Sequence, residues 1–319
     1  MTAEDFARGP GDADSQMHRG QRRSARVAVN GWICLDKPVG VTSTQAVAQL
    51  RWLYNAKKAG HAGALDPLAS GVLPLALGEA TKTVAIVQDG VKLYRFTVKW
   101  GEETDTDDSE GRVTASSQVR PEPAAIEALL PQFTGVITQV PPVFSAIKIG
   151  GVRAYDLARE GESLVMKPRE VVVHRLALTS SERDFGEFEA ECGKGVYVRA
   201  IARDIGRALG CGGHVAALRR MRVGPFRIED AVAFDELKES PERLGAALRP
   251  VSAGLAEWRA LPVDRDGAAT LRRGQRLLLR GRDAPAEGPA YAACFGAPIA
   301  FGEIEAGYFV PTRVFNLPG

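Results

Sequence analysis

Polar and apolar positions fall into blocks of distinct period along this chain. Over 92–100, KLYRFTVKW, Tyr94, Phe96, Val98 and Trp100 share one side and Leu93, Arg95, Thr97 and Lys99 the other, which predicts a half-buried strand. Upstream, the apolar run Trp32-Ile33-Cys34-Leu35 ends in Asp36-Lys37-Pro38 and reads as a strand, then a turn. Thr42-x-x-Gln45 has the form of a capping box, and Val47, Leu50 and Tyr54 follow at helical spacing, so a helix is expected over 43–54. Residues 60–71, GHAGALDPLASG, are punctuated by Gly and Pro and predict a loop before the apolar run Val72 to Leu77. A helix is expected within 121–134, and strands over 171–178 and 185–192. Residues 197–209 read as a helix with Val198, Ile201, Ile205 and Leu209 on its core face. Near 250 the pattern changes. Strands are expected at 290–295, 298–304 and 308–315, around a Gly-rich stretch.

Strands and helices alternate without a regular βαβ rhythm. The expected fold class is therefore α+β, a mixed, largely antiparallel central sheet flanked by helices. Three units are expected: a disordered polar tail over 1–29, a main domain over 30–255 and a small β-rich module over 256–319. The 319 residues allow one large domain with a small appendage, enough to bury a core without disulfides. Net charge is only +2, so any basic face must be local. Cys34, Cys192, Cys211 and Cys294 are scattered with no CxxC pair, which argues against a zinc ribbon and fits reduced thiols in the cytoplasm. No run approaches ~18 apolar residues, so no membrane-spanning helix is expected, and the N-terminus lacks the apolar core of a secretory signal.

Three stretches could carry chemistry. Asp66 is a lone carboxylate among Gly60, Gly63, Pro67 and Gly71, with His61 five residues before it. A carboxylate in a tight loop can be a nucleophile or general base, although Asp-Pro is also a common turn starter. In 192–204, CGKGVYVRAIARD, Arg199 and Arg203 begin a stripe that Arg207 continues opposite the core face. Such a stripe is a solvated face, or it presents guanidinium groups to an active-site carboxylate or a phosphate. Between 190 and 227 there are eight Lys/Arg and two acids, a local excess that suggests a polyanionic partner. The acidic run 102–110, EETDTDDSE, does not fit the calcium-binding ladder and reads as a solvated loop. His174 and His214 stand apart from other ligand types and read as surface or packing histidines.

Five ordered stretches together resemble one family. GHAGALDPLASGVLP (60–74) resembles the signature loop of the RNA pseudouridine synthases of the tRNA pseudouridine synthase B type. GWICLDKPVGVTS (31–43), LYRFTVKWGEETDTDDSEG (93–111), QVPPVFSAIKIGGVRAYDLAREGE (139–162), and CGKGVYVRAIARDIG (192–206) with HVAALRRMRVGPF (214–226) resemble its other motifs, so the likeness runs from about 31 to 255. It implies the pseudouridine synthase fold over 30–255 and an RNA-binding, PUA-like module at the C-terminus. It also implies isomerisation of uridine 55 in the T loop of tRNA, in the cytoplasm, without cofactor or metal, membrane or obligatory protein partner. By resemblance, Asp66 is the nucleophile, Tyr94 the stacking tyrosine, and Tyr197 and Arg199 the third-motif Tyr-x-Arg. Leu218 is a pocket-wall leucine, and His61 fills the space that an extruded base leaves. Ala62 stands where the family has Thr.

The chemistry suits these residue types. A carboxylate can attack ribose C1′, add to uracil C6, or act as a base at C2′. Each route needs Asp66 ionised in a dry pocket, so a cation must offset the effect of burial, and Arg199 is the natural candidate. Turning out the base costs a few kcal/mol. Tyr94 could return roughly 1–3 kcal/mol by stacking, although its strand position also suits core packing. Tyr197 could guide the proton leaving C5. Lys37, Lys82, Lys148 and Arg153 are candidates for phosphate contacts. Two rival functions remain: a non-catalytic RNA-binding or tRNA-chaperone protein using the same cleft, and a metal-dependent phosphoester hydrolase built on the 102–110 acids.

Overall fold

The structure is a computed structural model that describes residues 25–145, 147–160, 164–240, 242–279 and 286–317. In chain order, β1 (Gly31–Lys37), α1 (Ser43–Leu53), β2 (Ala59–His61), β3 (Ser70–Leu77), α2 (Val84–Asp89) and β4 (Lys92–Trp100) come first. The short hairpin β5 (Glu102–Thr104)/β6 (Val113–Ser116), α3 (Pro123–Leu129), β7 (Gly135–Gln139), β8 (Lys148–Ile149), β9 (Val152–Arg153) and α4 (Ala154–Arg159) follow. Then come β10 (Arg169–Ser181), β11 (Phe185–Cys192), α5 (Val198–Ala208), β12 (Gly213–Val223), β13 (Phe226–Arg227), β14 (Val232–Ala233), α6 (Phe234–Glu239) and α7 (Arg243–Ala247). The chain ends with β15 (Arg259–Pro262), α8 (Arg265–Arg272), β16 (Leu277–Leu278), β17 (Gly288–Cys294), β18 (Ala297–Glu305) and β19 (Tyr308–Val314).

The main sheet runs β14-β1-β3-β12-β4-β11-β10-β7, with β2 added to β3 and β13 to β12. Only β1/β14 and β3/β12 are parallel, so the sheet is mixed but largely antiparallel, as the pattern predicts. On β4, Phe96, Val98 and Trp100 are buried and Arg95 is exposed, in keeping with its alternation. The capping box forms: Thr42 Oγ1 accepts from the Gln45 N–H at 3.2 Å while Gln45 Oε1 accepts from the Thr42 N–H at 2.8 Å. The sheet's central member β12 escapes the periodicity reading. Its buried apolar residues Val215, Leu218 and Val223 stand three and five apart, because two register shifts break the period of two.

The tail expectation is corrected at its end. Val27 donates its N–H to Asn55 O at 2.9 Å and accepts from the Lys57 N–H at 3.0 Å, so the chain already lies on the fold before residue 30. The rest of that expectation, over 1–24, falls outside the described residues. At the other end, β15-β17-β18-β19-β16 form a separate five-stranded sheet. One apolar cluster joins it to the main sheet: Phe301 and Phe315 pack with Trp32, Phe226, Val251 and Leu255. Lys82, expected at a phosphate, is instead used at this joint. Its ammonium donates to Val314 O at 2.8 Å and pairs with Glu79 at 2.7 Å. All four cysteines are buried and free, and no helix among the described residues is long and apolar enough to cross a membrane.

Candidate active site

The loop between β2 and β3 is pinned by its backbone. Ser43 Oγ donates to Leu65 O at 3.0 Å and accepts from the Leu65 N–H at 2.8 Å. The Gly40 N–H donates to Pro67 O at 2.8 Å, and the Ala69 N–H closes the turn on Asp66 O at 3.1 Å. Ala62, where the family pattern has Thr, is held by its main chain, its N–H donating to Pro74 O at 2.9 Å. Lys37 belongs to the same scaffold. It is fully buried, with Nζ donating to Pro38 O at 2.8 Å, Val41 O at 2.7 Å and Pro67 O at 3.5 Å. Burial pushes its ammonium down to about 8, against the pull of Asp66. The expected phosphate contact at Lys37 is therefore corrected: no phosphate reaches a side chain enclosed by its own turn.

Held in this way, Asp66 turns its carboxylate toward α5. Arg199 Nη2 lies 2.9 Å from Asp66 Oδ2, and the guanidinium is almost fully enclosed. Both line a cavity of about 320 Å³, within the usual size range for small-molecule sites. Tyr94, Tyr197, Leu218 and Arg220 stand on its wall as well. Burial raises the Asp66 carboxyl above its ordinary value; Arg199, Lys37 and Arg220 oppose the rise, while Asp108 adds to it. The carboxylate stays open to the cavity, with 42% of its side chain exposed, and the arginine offsets the effect of its partial burial only in part.

The wall residues come from several elements. Tyr94 stands half-buried on β4, opposite Arg220 of β12 in the strand register, and Leu218 lies two residues along β12 opposite Phe96. Register shifts flank this stretch, between Val215 and Ala217 and between Arg220 and Arg222. Such bulges often aim side chains beside active sites. Tyr197 caps α5 and is clamped by Gln139, whose side-chain amide donates to Tyr197 O at 3.1 Å and accepts from the Tyr197 N–H at 2.8 Å. His61 lies on β2, opposite Leu75, and does not line the cavity. Lys148 and Arg153 face each other in the β8–β9 register, and their side chains lie outside the described atoms.

Two readings of charge are corrected. The run 102–110 is not a solvated loop, because Asp107 and Asp108 are buried beneath α5. Arg199 Nη1 donates to Asp108 Oδ2 at 3.2 Å and to Thr106 O at 3.0 Å, and its Nη2 donates to Phe144 O at 2.9 Å. Arg203 donates to Asp107 and Asp204, each at 2.8 Å, and to Val140 O at 2.8 Å. Arg207, at the exposed end, makes a forked pair with Glu103 at 2.7 and 2.9 Å. The basic excess over 190–227 is also consumed internally: six of its eight cations are ion-paired within the chain. A count of cations thus overstates the charge offered to a polyanion. The missed partners had one signal, since 102–110 holds six acids and no Lys or Arg to match the cation excess. His214 packs as expected, buried with Nδ1 2.9 Å from Glu102 O.

Comparison with known proteins gives this geometry a lineage. The model of the TruB family pseudouridylate synthase N-terminal domain matches residues 51–198, and that of the tRNA pseudouridylate synthase B C-terminal domain matches 199–256. The tRNA pseudouridine synthase B of Bradyrhizobium diazoefficiens is 57% identical, covering 95% of this chain and 91% of that protein. The protein of the same name from Rhodopseudomonas palustris is 55% identical, covering 97% and 87%. Among solved structures, a chain of a Cbf5-Nop10-Gar1 complex shares the fold with a TM-score of 0.69 at 24% identity, covering 90% of this chain and 84% of its own. With more than half the sequence shared over nearly its whole length, this chain belongs to the TruB family of pseudouridylate synthases.

Proposed function

We propose that this protein converts uridine 55, in the T loop of tRNA, to pseudouridine, with Asp66 as the nucleophile. Isomerisation of uridine to pseudouridine in tRNA is the family's reaction. In it the C1′–N1 bond breaks, the uracil turns, and a C1′–C5 bond forms. C5 loses a proton and N1 gains one, so the composition is unchanged and no oxidant or reductant is consumed. The observation that carries the reading is the 2.9 Å pair between Asp66 and Arg199 on the cavity wall. A non-catalytic RNA binder gains nothing from a carboxylate there, because it repels phosphate.

The chain's side chains then divide the work. Arg199 opposes the effect of burial on Asp66 and fixes its orientation, Nη2 reaching Asp66 while Nη1 is held by Asp108. Tyr94 and Leu218 hold the flipped base from two sides, and stacking on the tyrosine, worth roughly 1–3 kcal/mol, offsets part of the flipping cost. Tyr197 brings a phenol to the same cavity, where it guides the proton leaving C5. Lys148 and Arg153 on the β8–β9 hairpin bind tRNA phosphates, and His61 fills the space that the base leaves. A tRNA substrate supports a cytoplasmic setting. Tritium release from a tRNA transcript labelled at uridine C5 tests the reading. Asp66→Asn is expected to abolish release while retaining tRNA binding, and release near the wild-type rate would refute the nucleophile.

A further inference from the structure

Arg220 belongs to none of the roles above, yet it is the most deeply enclosed charge on the cavity wall, 2% exposed. Its neighbour on β12, Arg219, points to the other face and pairs with Asp36 at 2.7 and 3.1 Å. Arg220 turns inward instead. Nε donates to Val72 O at 2.8 Å, Nη2 to Gly63 O at 2.9 Å and Nη1 to Ala64 O at 3.3 Å. Tyr94 stands opposite it in the strand register and lines the same cavity. Among the described residues it forms no ion pair within 4.0 Å. Its own backbone is seated as tightly, because a Cβ at Gly71, where φ is +101°, would overlap the Arg220 carbonyl.

A guanidinium buried against carbonyls alone is costly, and an apolar side chain of similar volume often serves stability as well or better. What an apolar residue cannot do is join the main chain of 63–64 and the start of β3 at one planar group. We propose that Arg220 is a positioning residue for the isomerisation, holding the Asp66 loop against the start of β3 in a fixed register with β12. The inference rests on the reading of Asp66 as nucleophile. It has an electrostatic consequence as well. Facing Asp66 are Arg199 from α5, Asp108 and Glu110 from the β5–β6 loop, Lys37 from β1, Tyr94 from β4 and Arg220 from β12. Removing the Arg220 cation leaves Asp66 harder to ionise.

Arg220→Lys, Arg220→Gln and Arg220→Met, assayed in the full chain on a tRNA transcript, test this beside Asp66→Asn. Expected are a kcat loss of about 10-fold for Lys and about 100-fold for Gln and Met, with KM and tRNA Kd within about threefold of wild type. The acid limb of kcat moves to higher pH in Gln and Met, which have lost the charge, and stays near wild type in Lys. Wild-type kcat in all three variants overturns the proposal. So does a loss in which KM rises in step and the acid limb stays put, and so does failure of every variant to fold, which makes Arg220 a fold determinant only. If Asp66→Asn itself turns over normally, the reading of the site fails, whatever the Arg220 variants do.

Discussion

The helix α5 and the strand β12 each carry three arginines, of which one lines the cavity, and they dispose of them in opposite ways. On α5, Arg199, Arg203 and Arg207 recur every four residues, so they line one face and meet one acidic loop. On β12, Arg219 and Arg220 are adjacent, so the pleat sends them to opposite faces. Arg222 turns to Glu257 at 2.7 Å and to Gly224 O at 2.8 Å, at the strand's end. The helical arginines are offset by carboxylates and add little net charge, whereas Arg220 is offset by dipoles alone and leaves a positive field beside Asp66. Pairing to carboxylates supports structure and orientation; pairing to carbonyls places a charge without cancelling it.

Three substitutions test that contrast, in order of expected effect. Arg203→Met strands Asp107 in the interior, whose carboxyl burial already pushes up to about 6. Breaking a buried pair costs about 3–5 kcal/mol, so the urea midpoint should fall steeply. A midpoint within error of wild type would mean that the α5–loop pairing is incidental to stability. Arg199→Lys should come next, with kcat reduced about 100-fold, or about 2.7 kcal/mol, because one ammonium cannot serve Asp66, Asp108 and two carbonyls at once. Its tRNA Kd should change less than its kcat. On the proposed role Asp66 acts as the anion, and its carboxyl is raised, so activity should be lost as pH falls, above the ordinary carboxylate range. Weakening the Arg199 pair should move that acid limb to still higher pH, and equal losses of binding and turnover would count against the role. Arg219→Ala should do least. Its pair with Asp36 is partly exposed, and such pairs contribute roughly 0–1 kcal/mol, so turnover should stay within about threefold of wild type. A loss as large as that in Arg220→Met would erase the distinction between the two faces of β12.

Much of the site was legible before the fold. The pairing of Asp66 with Arg199 agrees with residue chemistry, and the placement of Tyr94, Tyr197 and Leu218 on one cavity agrees with what the family resemblance implies. Lys37 was misread because a Lys before Pro at a turn resembles a surface cation, and only three convergent carbonyls show otherwise. Arg220 was not singled out because adjacent arginines look alike in a string of letters until a pleat separates them.

The sequence by itself determined the elements whose period is local. The alternation of β4 and the apolar stripe of α5 each state which residues face a core, and the cap of α1 states where that helix begins. Tertiary structure alone decided how the charges are spent. Arg199 and Asp108 stand 91 residues apart in the chain, and Arg203 and Asp107 stand 96 apart. Whether a stripe of arginines is solvated or neutralised depends on which distant segment covers it, and no local period encodes that. Burial then sets the strength of each pairing, because a charge withdrawn from water is governed by its few neighbours rather than by the net charge of the chain.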